Sequence, residues 1–124
     1  MAQFTQEQVD QFGIMIGKTS DKISTLSGGN QQKCVLARWI SERPKVLILN
    51  GPTVGVDIAA KFDIFKILRE KAEEGLGIIV ISDDVSEIIN NCSRVLIMQS
   101  GRITGEYRNS ELSEEKLSSL LVAD

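Results

Sequence analysis

Leu26-Ser27-Gly28-Gly29 is the first stretch of the chain whose residue types could do chemistry. It stands immediately before a strongly helical pattern. A helix start presents several N–H groups with no partner inside the helix, together with the positive end of the macrodipole, so it attracts phosphate. Two glycines let a backbone and a ligand approach closely, and the Ser27 hydroxyl can donate a further bond. A serine N-cap followed by flexible glycines would give the same letters with no ligand at all. A second candidate is Asp83-Asp84, which ends the apolar run Ile78-Ile79-Val80-Ile81-Ser82. Paired acids there could hold a divalent cation beside a phosphorylatable aspartate, or one of them could simply cap a short helix. Gly17-Lys18-Thr19 ends like a phosphate loop, but the pattern GxxxxGK[ST] requires glycine at position 12, and that residue is Phe12. No buried strand precedes it, so the likeness is a coincidence.

Other chemistries are excluded by what the chain does not contain. Its histidine count is zero, which removes imidazole acid–base work, Ser-His-Asp and Cys-His nucleophile pairs, and zinc sites built on imidazole. Cys34 and Cys92 are far apart and form no CxxC, so they signal neither a disulfide framework nor a metal knuckle. A reduced, cytosolic setting is the default for such a pair. Lys+Arg 14 against Asp+Glu 17 gives a net charge of −3, so no basic footprint for nucleic acid is present. No apolar run approaches the roughly 18–20 residues that a spanning helix needs. The polar start Met1-Ala2-Gln3-Phe4-Thr5-Gln6-Glu7 does not read as a signal peptide. At a membrane, this chain is expected to work through a partner.

The elements that must position these residues follow from periodicity. A short helix over about 6–13 leads into a loop. Behind the glycines, Val35, Leu36, Trp39 and Ile40 mark one face of a helix over about 29–42, with Gln31, Gln32, Arg38 and Glu42 on its wet faces. Pro44 closes it. Lys45-Val46-Leu47-Ile48-Leu49 is apolar without alternation, as in a strand buried on both faces of a parallel sheet. A Gly- and Pro-containing loop over 51–55 follows. Ile58, Phe62, Phe65, Leu68 and Ala72 then recur at helical spacing, and Gly75 supplies the left-handed cap. Residues 77–82 and 94–98 read as further buried strands, joined by a short helix capped by Asp83 or Asp84 that buries Val85, Ile88 and Ile89. Ser100-Gly101 marks a turn and 103–107 a returning edge strand. A last helix is capped by Ser113, with Glu114 and Glu115 in its first turn and Leu112 and Leu117 placed as a hydrophobic staple; Leu120, Leu121 and Val122 continue its face. Alternating strands and helices predict one α/β domain over residues 1–124 with a mostly parallel sheet flanked by helices. Trp39, Phe62 and Phe65 are expected in its core, Cys34 and Cys92 as small, at least half-buried hydrophobes, and the charges of 70–74 on a solvated face.

Taken in order, Leu26-Ser27-Gly28-Gly29-Asn30-Gln31-Gln32-Lys33, Ala37-Arg38 and Pro44-Lys45-Val46-Leu47-Ile48-Leu49 resemble the signature region of ABC-transporter ATPases, where LSGGQ opens a helix leading to the Walker B strand. The Asn-Gln-Gln-Lys variant is similar to the second cassette of the monosaccharide importers. Gly51-Pro52-Thr53-Val54-Gly55-Val56-Asp57 resembles the Walker B tail and D-loop, and Arg94-Val95-Leu96-Ile97-Met98-Gln99-Ser100-Gly101-Arg102 extends the likeness, which covers roughly residues 22–107. Ordered motifs over that length are far more specific than a lone glycine pattern. The resemblance implies a partial P-loop NTPase fold: residues 1–43 as part of the helical subdomain, 44–110 as the C-terminal half of the α/β core, and 111–124 as a terminal helix. It implies ATP and Mg²⁺, a complete cassette as partner, a membrane permease, and a cytoplasmic position at the inner face of the membrane. Carried over, Ser27, Gly28, Gly29 and Asn30 would contact a γ-phosphate bound by the partner cassette, and Asp57 would lie at the dimer seam.

Four departures set this chain apart from the family pattern. Asn50 and Gly51 stand where Asp and Glu hold the Mg²⁺ water shell and polarise the attacking water. Asn50 offers a carbonyl without charge and Gly51 no side chain, so no intact catalytic residue and no metal site are expected. Asp83 falls at the switch histidine, a position that already varies among second cassettes of the sugar importers. The phosphate loop and its strand are missing from these residues. In the family sheet that strand lies between those corresponding to 78–82 and 94–98, so its absence would leave a gap and two open edges that invite self-association. The chain alone is expected to be inactive.

Two other readings belong to different classes. A receiver-like, phospho-accepting module has about this length and an acid pair after an apolar strand. In such a module, however, the acids follow the first strand, and a lysine would stand where Met98-Gln99-Ser100 does. An α/β interaction domain without ligand chemistry is the third reading.

Overall fold

The computed structural model describes residues 28–122. The helix and loop expected before residue 27 lie outside them. The described residues belong to two compact units, one reaching to Ile79 and one beginning at Val80. The four strands among the described residues fall into two ladders of two, β1 with β2 and β3 with β4.

In the first unit, helix α1 spans Gly28–Ser41, strand β1 Val46–Asn50 and helix α2 Ile58–Glu73; strand β2, Gly77–Ile81, begins here. Helix α1 ends as Pro44 requires: the Arg43 N–H closes on the Ile40 carbonyl at 3.0 Å, with Arg43 itself at φ +54°. Asp57 starts α2 by accepting the Ala60 N–H at 2.8 Å. The helix stops in a Schellman arrangement, with the Leu76 N–H on the Lys71 carbonyl at 3.1 Å, the Gly75 N–H on the Ala72 carbonyl at 3.0 Å and Gly75 at φ +107°. The Gly77 N–H then bonds the Lys45 carbonyl at 3.0 Å. Both strands set out from that bond, so β1 and β2 run parallel.

The second unit holds the end of β2, helix α3 (Val85–Asn91), strand β3 (Arg94–Gln99), strand β4 (Arg102–Arg108), a 3₁₀ turn (Asn109–Glu111) and helix α4 (Glu114–Val122). Strands β3 and β4 form an antiparallel hairpin in which Val95 faces Tyr107 and Ile97 faces Gly105, with a bulge after Ile97. Its two-residue turn, Ser100 at φ +52° and Gly101 at φ +77°, has the paired left-handed residues that match strand twist. Val95, Ile97 and Leu117 form the core, with Val85, Ile88, Ile89, Tyr107, Leu112 and Leu120 packed against it. Ser113 Oγ accepts the Lys116 N–H at 3.1 Å, and Leu112 and Leu117 share that core as a staple should. The Asn109 side chain donates to the Ile89 carbonyl at 2.6 Å and the Cys92 carbonyl at 2.7 Å, closing the end of α3.

Burial differs from the sequence reading in four ways. Trp39 is 54% exposed and Val35 is exposed with it, while Leu36, Ala37 and Lys33 are buried. The inward stripe of α1 therefore runs through positions 29, 33, 36 and 37, with Gly29 letting α2 come close, and Val35 and Trp39 are turned outward. Phe62 is 65% exposed, because α2 buries Ile64, Phe65, Ile67 and Leu68 instead. The strands are not covered on both faces: Val46 and Ile48 of β1, Ile79 and Ile81 of β2, and Leu96 and Met98 of β3 are exposed, opposite the buried Leu47, Val95 and Ile97. Leu121 and Val122 are exposed as well, so only the first part of α4's apolar face is used. Phe65 and the half-buried Cys34 and Cys92 lie as expected.

Replacing Asn109 by Ala strands two helix-end carbonyls. A loss of about 1–2 kcal/mol is expected, read as a lower urea midpoint with unchanged slope, while a surface control such as Ser110→Ala should leave the midpoint in place.

Candidate functional site

The candidate residues of the first unit gather around the start of α2. Ser27 lies outside the described residues. Gly28 and Gly29 open α1, whose first turn contains no acidic residue, so its outward N–H groups face no carboxylate from their own turn. Gly29 is buried. A Cβ placed on it would collide with the Ala60 Cβ and sit 3.6 Å from Val56 Cγ1. The glycine is thus needed for the neighbouring helix, a requirement that the pairing of two glycines beside a serine does not reveal. Asn30 follows, half-buried on the first turn.

Asp57 is exposed, and its Oδ1 holds the Ala60 N–H. Gly29 and Asp57 therefore meet the same residue: one against its methyl, the other on its amide. Between β1 and Asp57 the loop turns twice, at Gly51 (φ +60°) and Gly55 (φ +75°). The Val54 N–H reaches the Gly51 carbonyl at 3.2 Å and the Val56 N–H reaches the Thr53 carbonyl at 3.2 Å. Gly51 adopts a left-handed backbone that a side chain would strain, and its Cβ would also come within 3.1 Å of Val54 Cγ2.

At the end of β1, Asn50 is exposed and neutral. A hard cation seeks charged oxygen donors, and Asn50 with Gly51 provides none. Among the described residues no group of three or more Cys, Asp or Glu side chains comes together to hold a metal ion. The donor set does not fit Mg²⁺ held by this chain's own β1.

Asp83 and Asp84 belong to the second unit. Asp84 caps α3 by accepting the Glu87 N–H at 3.1 Å, and Asp83 is exposed. Ser82 Oγ donates to Glu87 Oε2 at 2.7 Å and accepts the Asp84 N–H at 3.0 Å, so the strand end is built as a helix entry. Of the two cysteines, Cys34 has its pKa raised by burial, and Cys92 by burial and then by the Glu87 charge. Both thiols keep their protons at neutral pH and make poor nucleophiles.

One element of the site escaped the sequence reading. Lys33 Nζ pairs with Asp63 Oδ2 at 2.9 Å, with the lysine side chain only 7% exposed and the aspartate half exposed. The signal was the position of Lys33, four residues after Gly29 on the stripe that also holds Leu36 and Ala37.

Residues 2–54 match the family model described as ABC transporter. The chain is 49% identical over 96 residues to the xylose import ATP-binding protein XylG of Geobacillus kaustophilus (strain HTA426), covering 77% of this chain and 19% of that protein. It is 46% identical over 112 residues to the L-arabinose transport ATP-binding protein AraG of Geobacillus stearothermophilus, covering 90% of this chain and 22% of that protein. It thus spans about a fifth of the length of the curated relatives it matches. In fold it resembles the dimeric structure of MJ0796, a bacterial ABC transporter cassette, with a TM-score of 0.74 at 21% identity, covering 86% of this chain and 46% of that cassette. The architecture is that of part of an ABC ATPase cassette, an α/β fold of the P-loop NTPase kind.

Asp57→Ala should lower stability by about 1 kcal/mol, whereas Asp57→Asn, whose amide oxygen can still accept the Ala60 N–H, should cost a few tenths; urea denaturation reads the difference. For Cys92, a raised pKa means that the folded chain keeps a proton the unfolded chain would release. Its contribution to stability is therefore present below the ordinary thiol range and lost as pH rises through the raised value. Alkylation at pH 8 should be slower in the folded chain than in urea, and Glu87→Gln should quicken it.

Proposed function

Because the chain belongs to the ABC transporter ATPase family, we propose that it is the C-terminal, signature-bearing part of the ATP-binding subunit of a sugar importer. In this reading residues 27–30 close over a triphosphate gripped by a complete cassette, and Asp57 lies at the seam between the two. The observation that carries it is the arrangement at the head of α1: a glycine-led helix start free of acidic residues in its first turn, followed in chain order by β1, the Gly51–Gly55 loop and Asp57. The high identity to proteins named for xylose and arabinose import supports a monosaccharide as the cargo. The dimeric state of MJ0796 supports two cassettes facing each other.

Chemistry assigns the division of labour. The N–H groups of the glycine turn supply hydrogen bonds to phosphate oxygens without contributing charge, so they strengthen closure. Hydrolysis requires a cation ligand and a group to orient water, and Asn50, Gly51 and Asp83 provide neither in this chain. ATP and Mg²⁺ are therefore brought by the complete cassette, and this polypeptide alone turns over no nucleotide. It would act at the cytoplasmic face of the membrane and pass the closing motion to a permease; no helix among the described residues is long and apolar enough to cross a membrane itself. In this reading residues 1–43, 44–110 and 111–124 would serve as partial helical subdomain, half core and terminal helix. The uncovered apolar residues Val46, Ile48, Leu96 and Met98 support self-association when no complete cassette is present.

The purified chain is expected to show no Mg²⁺-dependent ATP turnover and no tight ATP binding. It should bind a complete cassette of the sugar-importer type in an ATP-dependent manner, measured by sedimentation with and without nucleotide. Mg²⁺-dependent hydrolysis by the chain alone, or cassette binding indifferent to ATP, would overturn the proposal.

A further inference from the structure

Gly29 presents a conflict that the phosphate-facing reading leaves unresolved. It sits in the first turn of a helix, where alanine is still the better helix former, by less than the about 1 kcal/mol of a helix interior, and it is buried. A side chain there would meet the Ala60 Cβ, an atom with no rotamer to escape through, and touch Val56 Cγ1 at 3.6 Å. Ala60 is also the residue whose N–H is held by Asp57 Oδ1 at 2.8 Å. One turn along α1, Lys33 reaches across to Asp63 of α2 at 2.9 Å, so the two helices are fixed at two successive points on the same stripe.

We propose that Gly29 is a positioning residue: its missing side chain seats the head of α1 on Ala60, and through Ala60 it locks the Gly28–Asn30 start of α1 to the loop that ends in Asp57. The two parts of the chain assigned to the closing interface then move as one body. The packing stands on the geometry; its consequence for closure rests on the function proposed above. Thr53 and Val54 follow the same loop, so a shift of Ala60 away from Gly29 is transmitted to the N-cap of α2 first and to the Gly51–Gly55 turn next.

The sign of a single substitution separates this from an ordinary helical glycine. If the space beside Gly29 were open, Gly29→Ala would raise Tm through helix propensity. If α1 must seat on Ala60, it lowers Tm, by about 5–15 °C for overpacking in a domain of this size. Ala60→Gly returns the lost volume on the other side of the contact. The test is the cycle of wild type, Gly29→Ala, Ala60→Gly and the double variant, each measured for Tm and, well below Tm, for affinity to an ATP-loaded complete cassette.

Gly29→Ala is expected to lower Tm and weaken the cassette affinity at least tenfold, and the double variant to recover both beyond the sum of the single effects. If Gly29→Ala does not fold, recovery of a cooperative melt in the double variant supports the contact and failure to recover overturns it. A raised Tm in Gly29→Ala, or strictly additive effects in the cycle, overturns it too. Cassette affinity unchanged in Gly29→Ala while Tm falls overturns the positioning role. Absence of ATP-dependent binding by the wild type defeats the proposed function, and the melting cycle still decides the Gly29–Ala60 contact.

Discussion

Two helices approach closely only where side chains leave them room, and at the crossing of α1 and α2 that room is the hydrogen of Gly29. Ala60, the smallest side chain that still gives α2 good helix propensity, faces it. The head of α1 and the start of α2 meet at this contact. The Asp57 cap holds the same residue from its amide side, and the Lys33–Asp63 pair clamps the next turn. A nearly buried lysine is tolerable because its charge is met by a carboxylate that still reaches water, so the pair keeps part of its hydration.

The glycine therefore has two possible reasons to be there, one facing a ligand and one facing a helix. In the sequence they are indistinguishable. A small residue needed by a phosphate and a small residue needed by a neighbouring backbone leave the same letter, and only the position of Ala60, thirty-one residues later, separates them. The same crossing explains why the inward stripe of α1 was misjudged. Counting apolar residues set Val35 and Trp39 beside Leu36 and Ile40, but the buried face runs through Gly29, Lys33, Leu36 and Ala37, so Leu36 is inside as read while Val35 and Trp39 are turned away.

Most element boundaries were legible because each is written in local chemistry: Pro44 after α1, Gly75 after α2, Asp83 or Asp84 before α3, Ser100-Gly101 in the hairpin and Ser113 before α4. Each satisfies backbone groups within a few residues, so no distant contact is needed to recognise it. Burial was less legible. An unbroken apolar run such as 46–49 states that both faces of a strand can be covered, and leaves open whether anything among the described residues covers them. Here one face of β1 and one of β3 remain exposed. Each large apolar side chain left in water forgoes about 1.5–3 kcal/mol of burial, which is a strong drive toward whatever can cover it. Candidates proposed from their order along the chain, such as Asn50, Gly51 and Asp57, can be named without a structure. The candidate site was illegible where it depends on a distant partner, as with Lys33 and Asp63.

Trp39, on the outward face of α1, is the chain's single tryptophan. An indole half in water emits at long wavelength and shifts toward the blue when something dry settles over it. The packing of α1 has thus placed an intrinsic fluorophore on the outside of the helix that begins at Gly28, with no second indole to blur its signal.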